Sequence, residues 1–408
     1  MIKKYDVVLY GASGFTGKQT VAYFLKHAPS DLKWAIAGRN EGKLRAVKEE
    51  IIKGTREVDL LIAGSEDIAA LRNMVKSTRV VLTTAGPFRL YGKNLIECCA
   101  EEGVDYVDIT GETAFVRAVM DTHEEKAQRS GAKIIPFSGF DSVPSDLAVF
   151  AIAEYFREIR ETKLDSVRGI YSIKGSFNGG TLLSMLHMFE SGDWKMMQDP
   201  AILIRETAKG VKLTSDSFDT VLDKTLNRWI TPFLMSKINT RVVNRSAHLS
   251  SSFGTSYGPN VSYTEHHNFS EWWNPLPAYI YSNAFKAFQT LGTFAAFREL
   301  LRSLGPSANE GPSEESMNAG YFKLDAIGKG ISGEQVHLEF SGYGDPGNRA
   351  TTIFLCESAM ALATQRKKLP GGESRSGFLT PATGLGHVLI DRLKQKNMTI
   401  SLKEIKEK

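Results

Sequence analysis

Apolar and polar positions follow a block pattern along the first third of the chain. Short apolar runs, of the kind carried by strands buried on both faces, recur at 5–10, 33–37, 58–62, 80–83, 106–109 and 133–137. Between them, apolar residues spaced three and four apart predict helices over 18–27, 41–53, 66–76, 92–102 and 114–130. Strands and helices in alternation predict a doubly wound parallel sheet.

From about residue 145 the rhythm changes. Strands are predicted over 166–174, 317–326 and 334–341, the last two joined by Gly328-Lys329-Gly330-Ile331-Ser332-Gly333, which can close a hairpin. Val336, Leu338 and Phe340 alternate with His337, Glu339 and Ser341, so one face is buried and the other is wet or faces a ligand. That is the pattern of an antiparallel substrate or dimerisation sheet, and a homodimer is expected. The stretch 276–297 carries one charge, Lys286, among aromatics at near-helical spacing, and predicts a single helix. Its length approaches a membrane span, but Asn283, Lys286 and Gln289 fall where the bilayer centre would be. Core or dimer packing, an acyl-binding wall and a membrane-surface helix all fit it. The segment 305–316 has the composition of a mobile surface loop. Helices return over 348–365 and 386–396, the second with a stripe of Leu385, Leu389, Ile390 and Leu393 that must be buried. The expected organisation is a first domain over 1–145, an inserted α+β domain with an antiparallel sheet over 146–345, and a segment 346–408 that returns to the first domain.

The chemistry begins where the first strand ends, at Gly11-Ala12-Ser13-Gly14-Phe15-Thr16-Gly17. A glycine turn between strand and helix lets main chain approach a pyrophosphate, and the helix aims free N–H groups and its positive dipole end at it. The spacing is G-x-x-G-x-x-G rather than G-x-G-x-x-G; its place between strand and helix is what marks a nucleotide pocket. The second strand ends in Gly38-Arg39-Asn40, where an NAD site would carry an acid for the ribose 2′-hydroxyl. Arg39 offers a planar donor fork to a 2′-phosphate and Lys43 adds charge, so the reading is a Rossmann-type domain that takes NADP. Carboxyl ends of the other strands contribute Gly64-Ser65, Thr84-Ala85-Gly86-Pro87-Phe88 and Ser138-Gly139-Phe140-Asp141. The expected cofactor contacts are thus Gly11, Ser13, Gly14, Phe15, Thr16, Gly17, Arg39, Lys43, Ser65, Thr84, Ala85, Gly86, Pro87 and Phe88.

Composition narrows the remaining classes. A chain of 408 residues exceeds one compact core, and 42% apolar with 24% charged residues is ordinary for a soluble globular protein. The net charge of +4 comes with no basic run and no zinc-finger or helix-turn-helix spacing, so no nucleic-acid partner is implied. Cys98, Cys99 and Cys356 suit a reducing compartment; the adjacent pair fits neither a disulfide nor a metal clip. Met1-Ile2-Lys3-Lys4 leads directly into the first strand, so no signal peptide is read and a cytoplasmic location is expected, with peripheral membrane contact as one role of 276–297. His266 and His267 would point to opposite faces of a strand, which disfavours a metal. No G-x-S-x-G elbow occurs.

Several further motifs, in order, span nearly the whole chain: Ala37-Gly38-Arg39, Gly86-Pro87-Phe88 with Tyr91-Gly92, Tyr106–Glu112, Gly139–Asp146, Gly179-Gly180-Thr181, Gly344–Gly347 and Gly377–Ala382. With the glycine turn, they give a chain that resembles the saccharopine dehydrogenase-like oxidoreductases, and within them the trans-acting enoyl reductases of complex-lipid synthesis. The resemblance implies an NADP-binding Rossmann domain, an inserted second α/β domain, and hydride transfer to a double bond of an acyl chain or, in true saccharopine enzymes, to an imine. No tyrosine precedes a lysine by four positions, so the donor pair of short-chain dehydrogenases is absent. Asp141 and Tyr91 follow strand ends on the cofactor side and are the candidate proton donors; a cap for the helix near Pro144 and simple packing are their alternative roles. Three functions stand open: an oxidoreductase on a hydrophobic acyl or lipid substrate, a saccharopine-type amino-acid dehydrogenase drawing on Arg205, Arg241, Arg245 and Arg349, and a non-catalytic NADP-binding protein. An apolar tunnel beside the nicotinamide favours the first, an arginine cluster the second, a filled pocket the third.

Overall fold

The computed structural model describes residues 3–405 except 215, 217, 218, 308 and 309. Its first half alternates as the apolar runs predict: β1 (Tyr5–Tyr10), α1 (Phe15–His27), β2 (Trp34–Gly38), α2 (Glu41–Val47), β3 (Asp59–Ile62), α3 (Ile68–Lys76), β4 (Thr78–Thr83), α4 (Phe88–Tyr91), α5 (Lys93–Glu102), β5 (Asp105–Asp108), α6 (Thr113–Ser130), β6 (Lys133–Ile135) and α7 (Val143–Glu158). Two of these helices start where short polar side chains satisfy their free amides: Asn40 accepts from Lys43 N and Asp67 from Ala70 N.

The second half comprises β7 (Leu164–Lys174), α8 (Gly179–Glu190), α9 (Asp193–Met196), β8 (Gly210–Val211), β9 (Val221–Asp223), β10 (Arg228–Pro232), α10 (Ser236–Ser252), β11 (Asn260–Glu271), α11 (Leu276–Leu291), α12 (Ala295–Leu304), α13 (Glu314–Asn318), β12 (Tyr321–Gly330) and β13 (Gln335–Tyr343). The chain closes with α14 (Thr351–Gln365), β14 (Gly377–Phe378), α15 (Pro381–Gly384), α16 (Gly386–Gln395) and β15 (Thr399–Ile405).

Two sheets result. The first has seven parallel strands in the order β14-β6-β5-β4-β1-β2-β3, with its switch point at β1 between β4 and β2. The second has eight strands, in the order β15-β13-β12-β7-β11-β10-β9 with β8 beside β11. It is antiparallel except at β11, which runs parallel to β7 and β8 after the long crossover through α8–α10. The terminal segment serves both sheets: α14 lies against α1, β1, β4 and β5, β14 extends the first sheet, and β15 edges the second. One apolar core runs continuously from Val7 and Leu9 through α7 and α14 to Leu324 and Leu338. Phe140 bridges the sheets, 5.8 Å from Tyr171 and 5.2 Å from Phe322.

Three local expectations are corrected. The stretch 276–297 is two helices, α11 and α12, broken at Gly292. Phe189 fills the place where a Cβ on Gly292 would sit, 2.6–2.8 Å away, and Arg298 Nη1 takes the carbonyls of Gly292 and Thr293 at 3.0 and 2.8 Å. These contacts end the first helix where the periodicity alone continues it. Met317 and Asn318 belong to α13, capped by Ser313, and the strand begins only at Tyr321. The hairpin strands run on to Gly330 and start again at Gln335, leaving a shorter connection than 328–333. Of the expected loop 305–316, residues 308 and 309 lie outside the described residues.

Candidate functional site

The site is built at the carboxyl edge of the first sheet. Gly11 turns out of β1 with φ +83, where a Cβ would lie 2.9 Å from Ala85 N and 3.1 Å from Thr84 Oγ1. Only glycine lets the turns after β1 and β4 meet this closely. Gly17 has a different role: it lies on the inner side of α1, where a Cβ would be 2.1 Å from Gly11 O, and it does not line the cavity. Its lack of a side chain seats the helix on the turn. Gly17→Ala is therefore expected to cost about 1–3 kcal/mol of stability, read as a lower denaturant midpoint. An unchanged midpoint would contradict the contact.

Helix α1 starts after Gly14 with no side-chain cap and no acid in its first turn. Its open amides and positive dipole end suit an anion. At the end of β2, the Arg39 guanidinium lies 5.8 Å from the centre of the Tyr91 ring. Arg39 and Lys43 are exposed and, among the described residues, neither side chain forms an ion pair. Two unpaired cations, no acid at the end of β2 and an uncapped helix terminus together fit a dinucleotide with a phosphate on its ribose, the nearby Glu41 being paired with Arg45.

One cavity of about 530 Å³ joins this turn to an apolar chamber. Every expected cofactor residue except Gly17 lines it, as do Asp141 and Tyr91. The chamber is walled by Phe177, Leu183, Met185, Met188 and Phe189 at and beside α8, Trp194 and Met197 after it, and Phe285 and Phe288 of α11. Arg39 is the sole arginine on the cavity wall among the described residues. The four arginines considered for carboxylate binding are engaged elsewhere: Arg205 with Asp121, Arg241 with Asp216, Arg245 with Glu124 and the carbonyls of Leu203 and Phe378, Arg349 with Glu314.

Asp141 and Tyr91 differ in setting. Asp141 retains some access to the cavity, with its Oδ2 3.9 Å from where a Gly111 Cβ would stand. The helix behind it starts at Val143 after Ser142, so Asp141 is not its cap. Protein surrounds the carboxyl without donating to it, and this loss of water alone pushes its pKa up to about 7. Just behind, Glu265 of β11 accepts from Ser145 Oγ at 2.5 Å, Tyr263 OH at 2.7 Å and Asn239 Nδ2 at 2.8 Å, with no cation. Burial pushes Glu265 up to about 7 as well. Tyr91 instead packs under Arg39, at the cationic end of the cavity.

Two wall residues with charged side chains are absent from the sequence-based set. Glu112 accepts from Phe88 N and Arg89 N, both at 2.9 Å, and so clamps the loop that follows the cis Gly86–Pro87 peptide; burial raises its pKa against those bonds. Its position after β5 was the available signal, because strand ends on this edge carry the site. Lys237 donates to Gln198 Oε1 at 2.8 Å with its ammonium 4.5 Å from the Trp194 ring centre, and burial lowers its pKa to about 8. No local pattern points to it, since it comes from a helix the periodicity does not reveal.

Comparison with known proteins agrees with the fold and the turn. Residues 7–135 match the saccharopine dehydrogenase NADP binding domain. The chain is 32% identical to a Mycobacterium tuberculosis protein named a candidate trans-acting enoyl reductase, over 98% of this chain and 97% of that one. It is 29% identical to a trans-acting enoyl reductase of Mycobacterium ulcerans, over 98% of both chains. In structure it is similar to the apo saccharopine dehydrogenase (L-Glu forming) of Saccharomyces cerevisiae, with a TM-score of 0.54 at 13% identity, covering 98% of this chain and 100% of that one. It is also similar to the homospermidine synthase of Legionella pneumophila, with a TM-score of 0.55 at 10% identity, covering 99% and 92%. NADP is the cofactor that both the family and the fit of the turn specify. The chain belongs to the saccharopine dehydrogenase-like family of NADP-dependent oxidoreductases, together with the trans-acting enoyl reductases.

Proposed function

We propose that the protein reduces a carbon–carbon double bond of a hydrophobic acyl substrate, with NADPH as reductant. The observation that carries this reading is the single cavity with a cationic, amide-lined end and an apolar end walled by methionine and aromatic side chains. The trans-acting enoyl reductases it is similar to support the same chemistry by name. A saccharopine-type reaction on a charged amino acid is less well supported, because Arg205, Arg241, Arg245 and Arg349 are all absent from the cavity wall.

NADPH, when bound, supplies the hydride that adds to one carbon of the double bond. The amides of Ser13, Phe15 and Thr16 would receive the pyrophosphate, on a turn that Gly11 and Gly14 shape through their own amide bonds to Ala37 O and Gly11 O; Arg39 and Lys43 would take the 2′-phosphate, and Ser65 and Thr84–Phe88 line the path to the nicotinamide. Asp141, protonated near neutral pH, gives its proton to the other carbon; the resulting carboxylate recovers a proton from water at the cavity mouth. Tyr91 serves as a platform that orders Arg39 rather than as the donor. Residues 146–345 act as an insertion that supplies the chamber, and 346–408 tie it back to residues 1–145. A homodimer is compatible with this arrangement.

The direct test is NADPH oxidation with long-chain enoyl thioesters, set against keto acid plus lysine. Turnover rising with acyl length is expected with the first and none with the second; the reverse would dismiss the proposal. Phe285 and Phe288 give a second test. Each buried ring contributes about 1.5–3 kcal/mol, so Phe285→Ser with Phe288→Ser is expected to raise KM for a long acyl chain by more than about tenfold while NADPH affinity holds. Loss of a dimer with acyl kinetics unchanged would show that these rings serve an interface instead.

A further inference from the structure

Helix α11 carries two apolar stripes on opposite sides. Ala278 and Phe285 are buried, and Phe285, Phe288 and Gln289 line the cavity. Leu276, Ile280, Ala284, Ala287 and Leu291, spaced four, four, three and four residues apart, form the other stripe, and all five are exposed. Leu276 is 64% exposed and Ile280 61%. A helix on the surface of a water-soluble domain turns mainly charged or polar residues outward; here Asn283, Lys286 and Thr290 are exposed beside the apolar stripe, which is exposed with them.

The neighbourhood continues the pattern. Trp272 and Trp273, 56% and 67% exposed, lead into the helix, and α12 adds Phe294, Leu300 and Leu304, the last 77% exposed. The indole of Trp229 ties the parts together: its Nε1 donates to Trp272 O at 2.9 Å and its ring lies 5.9 Å from that of Tyr279. Between Glu271 and Glu299 the sequence has no acidic residue, and exposed Lys286 is the one charge before Arg298.

We propose that this face, the outer side of α11 with Trp272, Trp273 and α12, docks on the surface of an anionic lipid bilayer and lies at the boundary of headgroups and acyl chains. Three observations favour lipid over a second copy of the chain. The outer side of α11 carries one charge, exposed Lys286, which complements acidic headgroups, while Arg298 and Arg302 of α12 are paired with Glu190 and Glu299. Paired tryptophans beside an apolar stripe suit the membrane interface, where the ring is buried and its N–H stays wet. The same helix whose outer stripe meets the bilayer walls the cavity with its inner stripe, so the docked face lies one helix away from the chamber and offers an acyl chain a short route to it. This route rests on the acyl reading of the cavity; the docking does not. At 16 residues α11 is too short to span, and among the described residues no helix is long and apolar enough to cross a membrane.

The test is flotation of the full-length protein with vesicles of phosphatidylcholine containing phosphatidylglycerol and with phosphatidylcholine alone. Sedimentation velocity and NADPH titration of every variant accompany it. Binding to the anionic vesicles that weakens with salt is expected. Trp272→Ser with Trp273→Ser and Ile280→Ser is expected to reduce it at least about tenfold, and Lys286→Glu to reduce it measurably, with NADPH affinity unchanged. Failure of the wild type to float, or a dimer that dissociates in the triple variant without any vesicle binding, overturns the proposal. Vesicle binding by a protein that reduces no enoyl thioester leaves the docking standing and removes the acyl reading instead.

Discussion

Asp141→Asn is expected to lower the rate of NADPH-dependent reduction by about 10²–10⁴-fold, the usual weight of a general acid, with NADPH affinity unchanged. The amide keeps the shape of the carboxyl but has no acidic proton to give. Asp141 suits the role because it reaches the cavity, receives no hydrogen bond among the described residues, and has a pKa pushed up to about 7 by burial. The protonated form is the active one, so the wild-type rate falls as pH rises through about 7, close to tenfold per unit well above it. The variant loses that limb of the profile. A variant with wild-type rate and an unshifted profile would remove Asp141 from the chemistry.

The same raised pKa has a stability consequence of defined sign. A carboxyl whose folded pKa exceeds its unfolded value binds more protons in the folded state, so its contribution is fully present below about pH 4 and is lost as pH rises through about 7. Asp108, Asp146 and Glu265 stand in the same position, each pushed up to about 7. The protein is therefore expected to melt higher at pH 5 than at pH 8, and Asp141→Asn to narrow the gap while activity is lost. A variant that simply unfolds would lower the melting temperature at both pH values.

Arg39→Asp is expected to shift the preference for NADPH over NADH by about 10²–10³-fold, since it removes a charge-assisted donor fork and sets a carboxylate against the 2′-phosphate. The new acid also stands where an NAD site holds its ribose partner. Equal affinities of the wild type for the two cofactors would defeat the assignment. Tyr91 separates the contribution of order from that of charge. Because its ring lies under the Arg39 guanidinium, Tyr91→Phe should keep the preference, whereas Tyr91→Ala should weaken NADPH binding without improving NADH binding. Loss of activity in Tyr91→Phe with intact NADPH binding would instead return the tyrosine hydroxyl to candidacy as proton donor.

The parts of this molecule legible in its sequence are those whose cause is local. Val7-Val8-Leu9 must be a strand buried on both faces, and Gly11 must turn it, because a run of apolar residues and a positive φ are properties of a few adjacent positions. Arg39 at the end of β2 follows from the same short-range logic, and so does the alternation through residue 140. What depended on distant partners was not readable. Helix α10 has the sequence S-K-I-N-T-R-V-V-N-R-S-A-H, polar enough for an outer surface, yet Lys237, Asn239, Arg241, Asn244, Arg245 and His248 are all buried. Their partners come from Asp216, Gln198, Pro200, Leu203, Lys209, Glu124, Glu265 and Phe378. Only the assembled fold brings those groups within reach, and a buried polar helix costs too much to form without them. The break in 276–297 has the same origin, since Phe189 occupies the space beside Gly292. Asp141 completes the contrast: its position after a strand end is local, but its raised pKa comes from the water that the fold keeps away from it.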